Sequence, residues 1–159
     1  MDSDTVESDP MNLANTILLV EDDDDDVFLF KRALKAAKIT NSVNVVTDGR
    51  AAIEYLSSAS HGADPEEYPL PFIIFLDLKM PHVDGFEVLS WIRAQPQLDS
   101  IIVVVLSGSD QPRDHQRAYA LGARSYLTKP PKPEEIKQFI DSMGSRWDQE
   151  GAGPIRKAG

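Results

Sequence analysis

The sequence predicts one α/β domain built on a parallel sheet, and three observations support this. The chain has 159 residues, which fits one domain with modest tails. Several short runs are apolar throughout rather than alternating, as expected for strands buried on both faces of a parallel sheet. Segments with helical apolar spacing separate these runs. Five such strand–helix repeats imply right-handed crossovers, with helices on both faces of the sheet.

The elements follow in order from Thr16 onward. The predicted strands are 16–20, 43–46, 72–76, 101–106 and 125–128. Apolar stripes predict three of the helices that follow them, and their members are Val27, Phe30, Leu34 and Ala37; Val88, Leu89 and Ile92; and Ile136, Phe139, Ile140 and Met143. Segment 111–121 is the least amphipathic helix candidate. The domain is expected to cover 16–145, between flexible tails at 1–15 and 146–159, with a long polar connection at 57–71.

Composition and charge narrow the function. The absence of cysteine excludes disulfides, thiolate metal sites and a cysteine nucleophile. The net charge of −10 argues against binding to nucleic acid or to anionic membranes, which both require clustered lysine and arginine. No apolar run approaches the length of a membrane span, and the first residues do not resemble a signal peptide. A cytoplasmic protein is therefore expected.

Polar residues follow four of the predicted strands. Glu21 and Asp22 come after the first strand, Asp77 after the third, Ser107 after the fourth and Lys129 after the fifth. Because ligands bind outside the carboxyl ends of parallel strands, these side chains are expected to converge at one edge of the sheet. The pattern thus predicts a site with three carboxylates, a hydroxyl and an ammonium group.

This set of groups has a specific chemistry. Clustered carboxylates need a cation, and oxygen ligands favour Mg²⁺ or a similar hard ion such as Mn²⁺. A carboxylate that is left partly free can attack phosphorus and form an aspartyl-phosphate. The cation would reduce the repulsion between the two anions, while Lys129 and Ser107 would hold the phosphoryl oxygens. Asp24, Asp25 and Asp26 are instead expected to form a solvated helix N-terminus, and Asp23 stays ambiguous.

Taken together, these residues resemble the receiver domain of two-component response regulators. The similarity covers about residues 16–145 and includes the acidic pair after the first strand, "DLKMPHVDG" around Asp77, Ser107, and "KP" at 129–130. The resemblance implies a single-domain, flavodoxin-like fold with a doubly wound five-stranded sheet. It also implies that Asp77 accepts a phosphoryl group. Asp22 and Asp77 would then bind Mg²⁺ directly, with Glu21 helping through water.

The remaining roles are likewise implied by the resemblance. The backbone carbonyl of Lys79 would complete the metal ligands, and Ser107 and Lys129 would bind the phosphoryl oxygens. Tyr126 would be the switch aromatic, and the bond before Pro130 would be cis. The loop at 57–71, the lack of an output domain and Trp147 are similar to stand-alone regulators that serve phytochrome kinases.

The resemblance implies a sensor histidine kinase as donor, of the phytochrome type in this subfamily, and a downstream protein or phosphotransfer partner. A homodimer through helix four, strand five and helix five is a further hypothesis. Phosphorylation of Asp77 would change the binding preference of that face. Two alternatives stay open, namely a module that binds partners without phosphorylation and an aspartate-nucleophile phosphatase. The phosphatase is disfavoured because Lys79 stands where those enzymes place a general acid.

Overall fold

The computed structural model describes residues 16–108 and 111–149, with side chains as far as residue 141. Its five strands pair in parallel throughout, in the order β2-β1-β3-β4-β5. The strands are β1 (Ile17–Val20), β2 (Val43–Val46), β3 (Ile73–Asp77), β4 (Ile102–Ser107) and β5 (Ser125–Thr128). The predicted flavodoxin-like sheet is therefore confirmed, and the strand bounds differ from the prediction by at most one residue at an end.

Helices connect the strands on both faces. They are α1 (Asp24–Ala36), α2 (Gly49–Ser60), α3 (Gly85–Arg93), α4 (Pro112–Ala120) and α5 (Pro133–Gln149), with a short 3₁₀ helix at Pro96–Leu98. Three of them begin at an aspartate whose carboxylate accepts backbone N–H groups of the first turn, and these caps are Asp23, Asp48 and Asp84. Such caps satisfy backbone donors that the helix itself leaves unpaired.

The apolar core has two parts, one on each face of the sheet. One part joins α2, α3 and α4 to alternate strand residues such as Leu76 and Val105. The other joins α1 and α5 to the opposite strand residues, such as Phe75 and Val104. The central strands β1, β3 and β4 are buried at every position, which explains why their sequences are apolar throughout rather than alternating.

Two boundaries differ from the prediction. Helix α2 runs to Ser60, so the first residues of the predicted 57–71 connection are helical, and the N–H of His61 donates to the carbonyls of Ser57 and Ser58 to cap the helix. Helix α5 runs to Gln149 and takes in 146–149. Gly144 does not stop it, because glycine weakens a helix without removing the backbone donor. Residues 1–15 and 150–159 and the side chains of Met143 and Trp147 lie outside the described part. Among the described helices, none is long and apolar enough to cross a membrane.

Candidate functional site

The strand ends bring the predicted polar residues to one edge of the sheet. Glu21 follows β1, Asp77 is the last residue of β3, Ser107 is the last residue of β4, and Lys129 follows β5. Adjacent strands pair in register up to these ends, with Val20 beside Leu76 and Asp77 beside Leu106. Glu21 and Asp77 are 1% and 2% exposed, so the edge carries two carboxylates that are almost completely removed from water.

Lys129 is the cation of this cluster. Its Nζ lies 2.9 Å from Glu21 Oε1, 2.8 Å from Asp26 Oδ2 and 3.1 Å from Asp77 Oδ1. An ammonium group has three N–H donors, so three carboxylates can engage all of them. The backbone of Lys129 is fixed as well, because its N–H donates to the Ser107 carbonyl at 2.9 Å. The bond from Lys129 to Pro130 is cis, as the family resemblance implies.

Burial and charge shift the pKa values of this cluster. Burial, aided by the nearby charge of Asp77, raises the pKa of Glu21 to about 7, although Lys129 opposes the shift. Burial also raises the pKa of Asp77, against the opposing effect of Lys129. Burial acts to lower the pKa of Lys129, but the carboxylates together outweigh it and raise that pKa, with Asp26 as the strongest of them. Three carboxylates thus share the ammonium group of Lys129, and burial disfavours the charged form of two of them, Glu21 and Asp77.

The carboxylates suit a divalent cation. One oxygen from each of Glu21, Asp22 and Asp77 lies within 4.8 Å of the others, and oxygen-only donor sets favour hard ions such as Mg²⁺ or Mn²⁺. Two of these carboxylates are buried while Asp22 is exposed, so the cluster opens to solvent on one side. A cavity of about 490 Å³ lies over it and is also lined by Lys79 and Gly108. This space can admit an ion together with a phosphoryl group.

The segment after β3 packs tightly against the backbone of Asp77. A side-chain carbon at Gly85 would lie 2.4 Å from the Asp77 carbonyl oxygen, closer than any side chain allows. The N–H of Gly85 donates to the Leu78 carbonyl at 3.0 Å, and the N–H of Lys79 donates to Asp77 Oδ1 at 3.3 Å. Asp84 and Glu87 close this turn with reciprocal hydrogen bonds that cap α3. Asp77 is thus held by the start of a helix as well as by the sheet.

Ser107 and Tyr126 belong to strands β4 and β5, beside the strand ends that carry the charged cluster. Ser107 is fully buried at the end of β4, and neither residue lines the cavity. The Tyr126 ring is buried and stacks on the His115 ring of α4, with centroids 3.7 Å apart and planes 19° apart. His115 Nε2 is buried and has no hydrogen-bond partner among the residues that the structure describes. The predicted switch aromatic therefore points inward and contacts α4.

The structure corrects the interpretation of the acidic run. Asp24, Asp25 and Asp26 do begin α1, and the ambiguous Asp23 is its N-cap, accepting from the N–H groups of Asp25 and Asp26. Asp26, however, is not merely solvated, since its carboxylate binds Lys129. The sequence contained one signal for this. Asp26 stands four residues before the buried Phe30, and residues at that spacing share a helix face.

The fold and this site together indicate a class of protein, the receiver modules of two-component signalling. The chain belongs to the response regulator receiver domain family, whose family model matches residues 17–141. This match includes every strand and every residue of the charged cluster. The predicted resemblance to the receiver domain family is therefore confirmed.

Two known relatives match most of the chain. The chain is 38% identical over 131 residues to the probable methanogenesis regulatory protein FilR2 of Methanothrix harundinacea, covering 82% of each protein. It is 36% identical to the response regulator Rcp1 of Synechocystis sp., over 88% of this chain and 93% of Rcp1.

Two solved structures share the fold. The Mn²⁺-bound form of Rcp1 has a TM-score of 0.64 and 35% identity, covering 84% of this chain and 94% of the other. The phosphorylated cyanobacterial phytochrome response regulator RcpA has a TM-score of 0.67 and 34% identity, again over 84% and 94%. The chain is thus similar to phytochrome-associated regulators.

Proposed function

We propose that this response regulator accepts a phosphoryl group on Asp77 from the phosphohistidine of a sensor kinase. The observation that carries the proposal is the position of the Asp77 carboxylate, at the end of β3 and 3.1 Å from Lys129 Nζ. A carboxylate with an ammonium beside it can attack phosphorus while the ammonium stabilises the charge that develops on the phosphoryl oxygens. The phosphorylated state in which RcpA was solved supports the same chemistry here.

The proposed step is a transfer between two covalent carriers. An oxygen of Asp77 attacks the phosphorus, the bond from phosphorus to the donor nitrogen breaks, and the histidine leaves. The product is an acyl phosphate on Asp77, which water later hydrolyses to regenerate the carboxylate and release phosphate. Lys129 would bind one phosphoryl oxygen and the Ser107 hydroxyl another.

A divalent cation belongs to this proposal. Glu21, Asp22 and Asp77, with the backbone carbonyl of Lys79, would hold Mg²⁺, or Mn²⁺ in its place. When bound, the ion supplies charge neutralisation between the attacking carboxylate and the phosphoryl group. The excess of buried negative charge supports this assignment, since clustered carboxylates without a compensating cation are costly. The Mn²⁺-bound form of Rcp1 supports it as well.

Phosphorylation would act as a switch. Ser107 would move toward the new anion, Tyr126 would repack beside it, and the face formed by α4, β5 and α5 would change its partner preference. The contact of Tyr126 with His115 of α4 supports this route, because it joins β5 to α4 directly. A homodimer through the same face stays a prediction, as does cytoplasmic location.

The donor is proposed to be a phytochrome-type histidine kinase, on the strength of the similarity to RcpA. The signal would pass onward to a downstream protein or a phosphotransfer partner. No direct role with nucleic acid or membranes is proposed, in keeping with the net charge of −10. We also propose that the chain does not act as a turnover enzyme, because Lys79 replaces the general acid of an aspartate-based phosphatase.

The test is incubation of the purified chain with acetyl phosphate and Mg²⁺, followed by intact-mass measurement. We expect one added phosphoryl group in the wild type and none in Asp77→Asn, because the amide is not a nucleophile at this position. Chelation of the metal should prevent labelling. The phosphatase alternative predicts many turnovers of a chromogenic phosphate ester instead. A module that works without phosphorylation predicts an unlabelled wild type.

A further inference from the structure

We infer that Asp26 is a positioning residue for Lys129. It holds the ammonium group from α1, so that the lysine stays beside Asp77 when Glu21 and Asp77 bind a divalent cation. The inference rests on the proposed phosphorylation of Asp77 and adds a residue to it. It concerns a carboxylate that belongs to the same acidic run as Glu21 and Asp22 but lies outside the group of predicted metal ligands.

The geometry separates Asp26 from the other carboxylates. Asp26 Oδ2 lies 2.8 Å from Lys129 Nζ, and Glu21 and Asp77 lie at 2.9 Å and 3.1 Å from the same atom. Glu21 and Asp77 also belong to the group of oxygens that converge within 4.8 Å, together with Asp22, whereas Asp26 does not. Of the three partners of Lys129, Asp26 alone is therefore outside the expected metal ligands.

This difference matters when the cation binds. A divalent ion held by Glu21 and Asp77 would compete with Lys129 for the same two carboxylates and repel its ammonium group, because like charges a few ångströms apart interact strongly at a partly buried site. Without a third partner the flexible lysine would then move out to solvent. Asp26 gives it a carboxylate that the ion does not use, and the ammonium keeps its remaining donors for a phosphoryl oxygen.

Asp26 is itself fixed relative to Asp77. Its N–H donates to the Asp23 side chain at 3.2 Å in the N-cap of α1. One turn later Phe30 is buried and packs on Phe75 of β3, with ring centroids 4.9 Å apart. Phe75 precedes Asp77 by two residues in the same strand. The carboxylate of Asp26 and the reacting carboxylate are thus joined through a helix and a strand that pack directly on each other.

The main experiment compares three variants at saturating Mg²⁺, with phosphorylation by acetyl phosphate followed by intact mass. Asp26→Asn should lower the rate of Asp77 labelling about tenfold, comparable to the smaller losses that follow removal of an outer partner at a metal site. Asp25→Asn removes the same charge from an exposed residue in the same helical turn and should leave the rate unchanged. Asp26→Glu should restore most of the lost rate, since it keeps the anion.

A second measurement follows the lysine rather than the reaction. Brief treatment with an amine-acylating reagent, with peptide mass analysis, reports how exposed each lysine is. In the presence of Mg²⁺, Lys129 should be modified several-fold faster in Asp26→Asn than in Asp25→Asn or the wild type. Without Mg²⁺ the difference should be small, because Glu21 and Asp77 still hold the lysine.

The outcomes separate the inference from the function on which it rests. An unlabelled wild type would remove the proposed function itself. A wild type that is labelled while Asp26→Asn reacts as fast as Asp25→Asn, or faster, would overturn only the inference, because Asp26 would then be a competitor for Lys129 or a bystander. Unchanged acylation of Lys129 in Asp26→Asn with Mg²⁺ would overturn it equally.

Discussion

Two clusters of largely buried polar groups in this domain differ in charge: one is neutral and the other carries carboxylates. In the first, the Tyr55 hydroxyl of α2 accepts a hydrogen bond from Asn44 Nδ2 at 2.8 Å and donates one to the Pro69 carbonyl at 2.7 Å. Burial raises the pKa of Tyr55, so the group stays neutral. Tyr68 packs edge-on against the Tyr55 ring. This cluster attaches the loop before β3 to α2 and β2, and all its partners are uncharged.

In the second cluster, at the carboxyl edge of the sheet, the negative charges outnumber the positive ones. Glu21 and Asp77 are as buried as any core residue, but they share one lysine with Asp26. Burial of polar groups alone therefore does not indicate function. Satisfied neutral groups stabilise the fold, whereas a buried surplus of one charge indicates a ligand of the opposite charge.

Mg²⁺ should have the strongest effect on stability, because it supplies positive charge to the carboxylates of the second cluster. Addition of Mg²⁺ near pH 8, at about a hundredfold excess over its dissociation constant, should raise the free energy of unfolding by about 2.7 kcal/mol. Thermal or denaturant unfolding with and without the ion measures this. Asp22→Asn should remove most of the response while leaving the metal-free stability nearly unchanged, since Asp22 is exposed. An unresponsive wild type, or an Asp22→Asn variant that responds fully, would refute the assignment.

The next effect tests the neutral cluster. Tyr55→Phe should lower the free energy of unfolding by about 1–3 kcal/mol, because it leaves the partly buried amide of Asn44 and the buried carbonyl of Pro69 without their partner. Tyr119→Phe is the matched control, since Tyr119 is 48% exposed, and it should change stability by less than about 0.5 kcal/mol. The loss in Tyr55→Phe should be the same with and without Mg²⁺. A loss that depends on the metal would mean that the two clusters are coupled.

The sequence predicts the edge of the sheet well because strand ends are easy to recognise. An apolar run that stops at Glu21 or Asp77 must place the next residue at the carboxyl end of a buried strand. From this rule alone, the carboxylates and Lys129 could be predicted to lie at the same edge of the sheet. The family resemblance then added roles that apolar patterns do not carry, such as those of Ser107 and Tyr126.

Side-chain direction within helices and loops was harder to predict. The contact of Asp26 with Lys129 was not predicted, because each of three consecutive acids at a helix start is compatible with exposure to solvent. Only the spacing to Phe30 distinguishes Asp26 from its neighbours. The contact of Tyr55 with Pro69 depends on how a loop folds back, and local sequence does not encode this. The stacking of His115 on Tyr126 depends in the same way on how α4 packs over β5.

A third prediction concerns pH. The pKa of Glu21 lies above its ordinary value of 4.5 in the folded state, at about 7, so the folded protein binds this proton more tightly than the unfolded chain. The resulting stability is fully present below about pH 4.5 and is lost as the pH rises to about 7. The raised pKa of Asp77 acts in the same direction, while Lys129 stays charged throughout this window.

Glu21→Gln tests that assignment without metal. It removes the surplus charge but keeps an oxygen that can accept from Lys129, so it should stabilise the metal-free protein by about 1 kcal/mol near pH 8. It should also flatten the pH dependence between about pH 4.5 and 7. Urea unfolding at several pH values, in the presence of a chelator, measures both effects. A variant that is less stable than the wild type near pH 8 would show that Glu21 contributes attraction rather than repulsion.

A solvent-exposed ion pair on α5 should contribute least to the free energy of unfolding, although it is as short as a pair in the charged cluster. Lys137 and Asp141 lie 2.9 Å apart on α5, the same distance as Lys129 and Glu21, but their side chains are 53% and 60% exposed against 17% and 1%. Water and salt screen such a pair, so Asp141→Asn should change the free energy of unfolding by less than about 0.5 kcal/mol. The change should be insensitive to Mg²⁺, because Asp141 does not belong to the carboxylate group at the sheet edge. If Asp141→Asn matched the effect of Glu21→Gln, then distance rather than burial would govern these pairs, and the contrast between the two clusters would lose its physical basis.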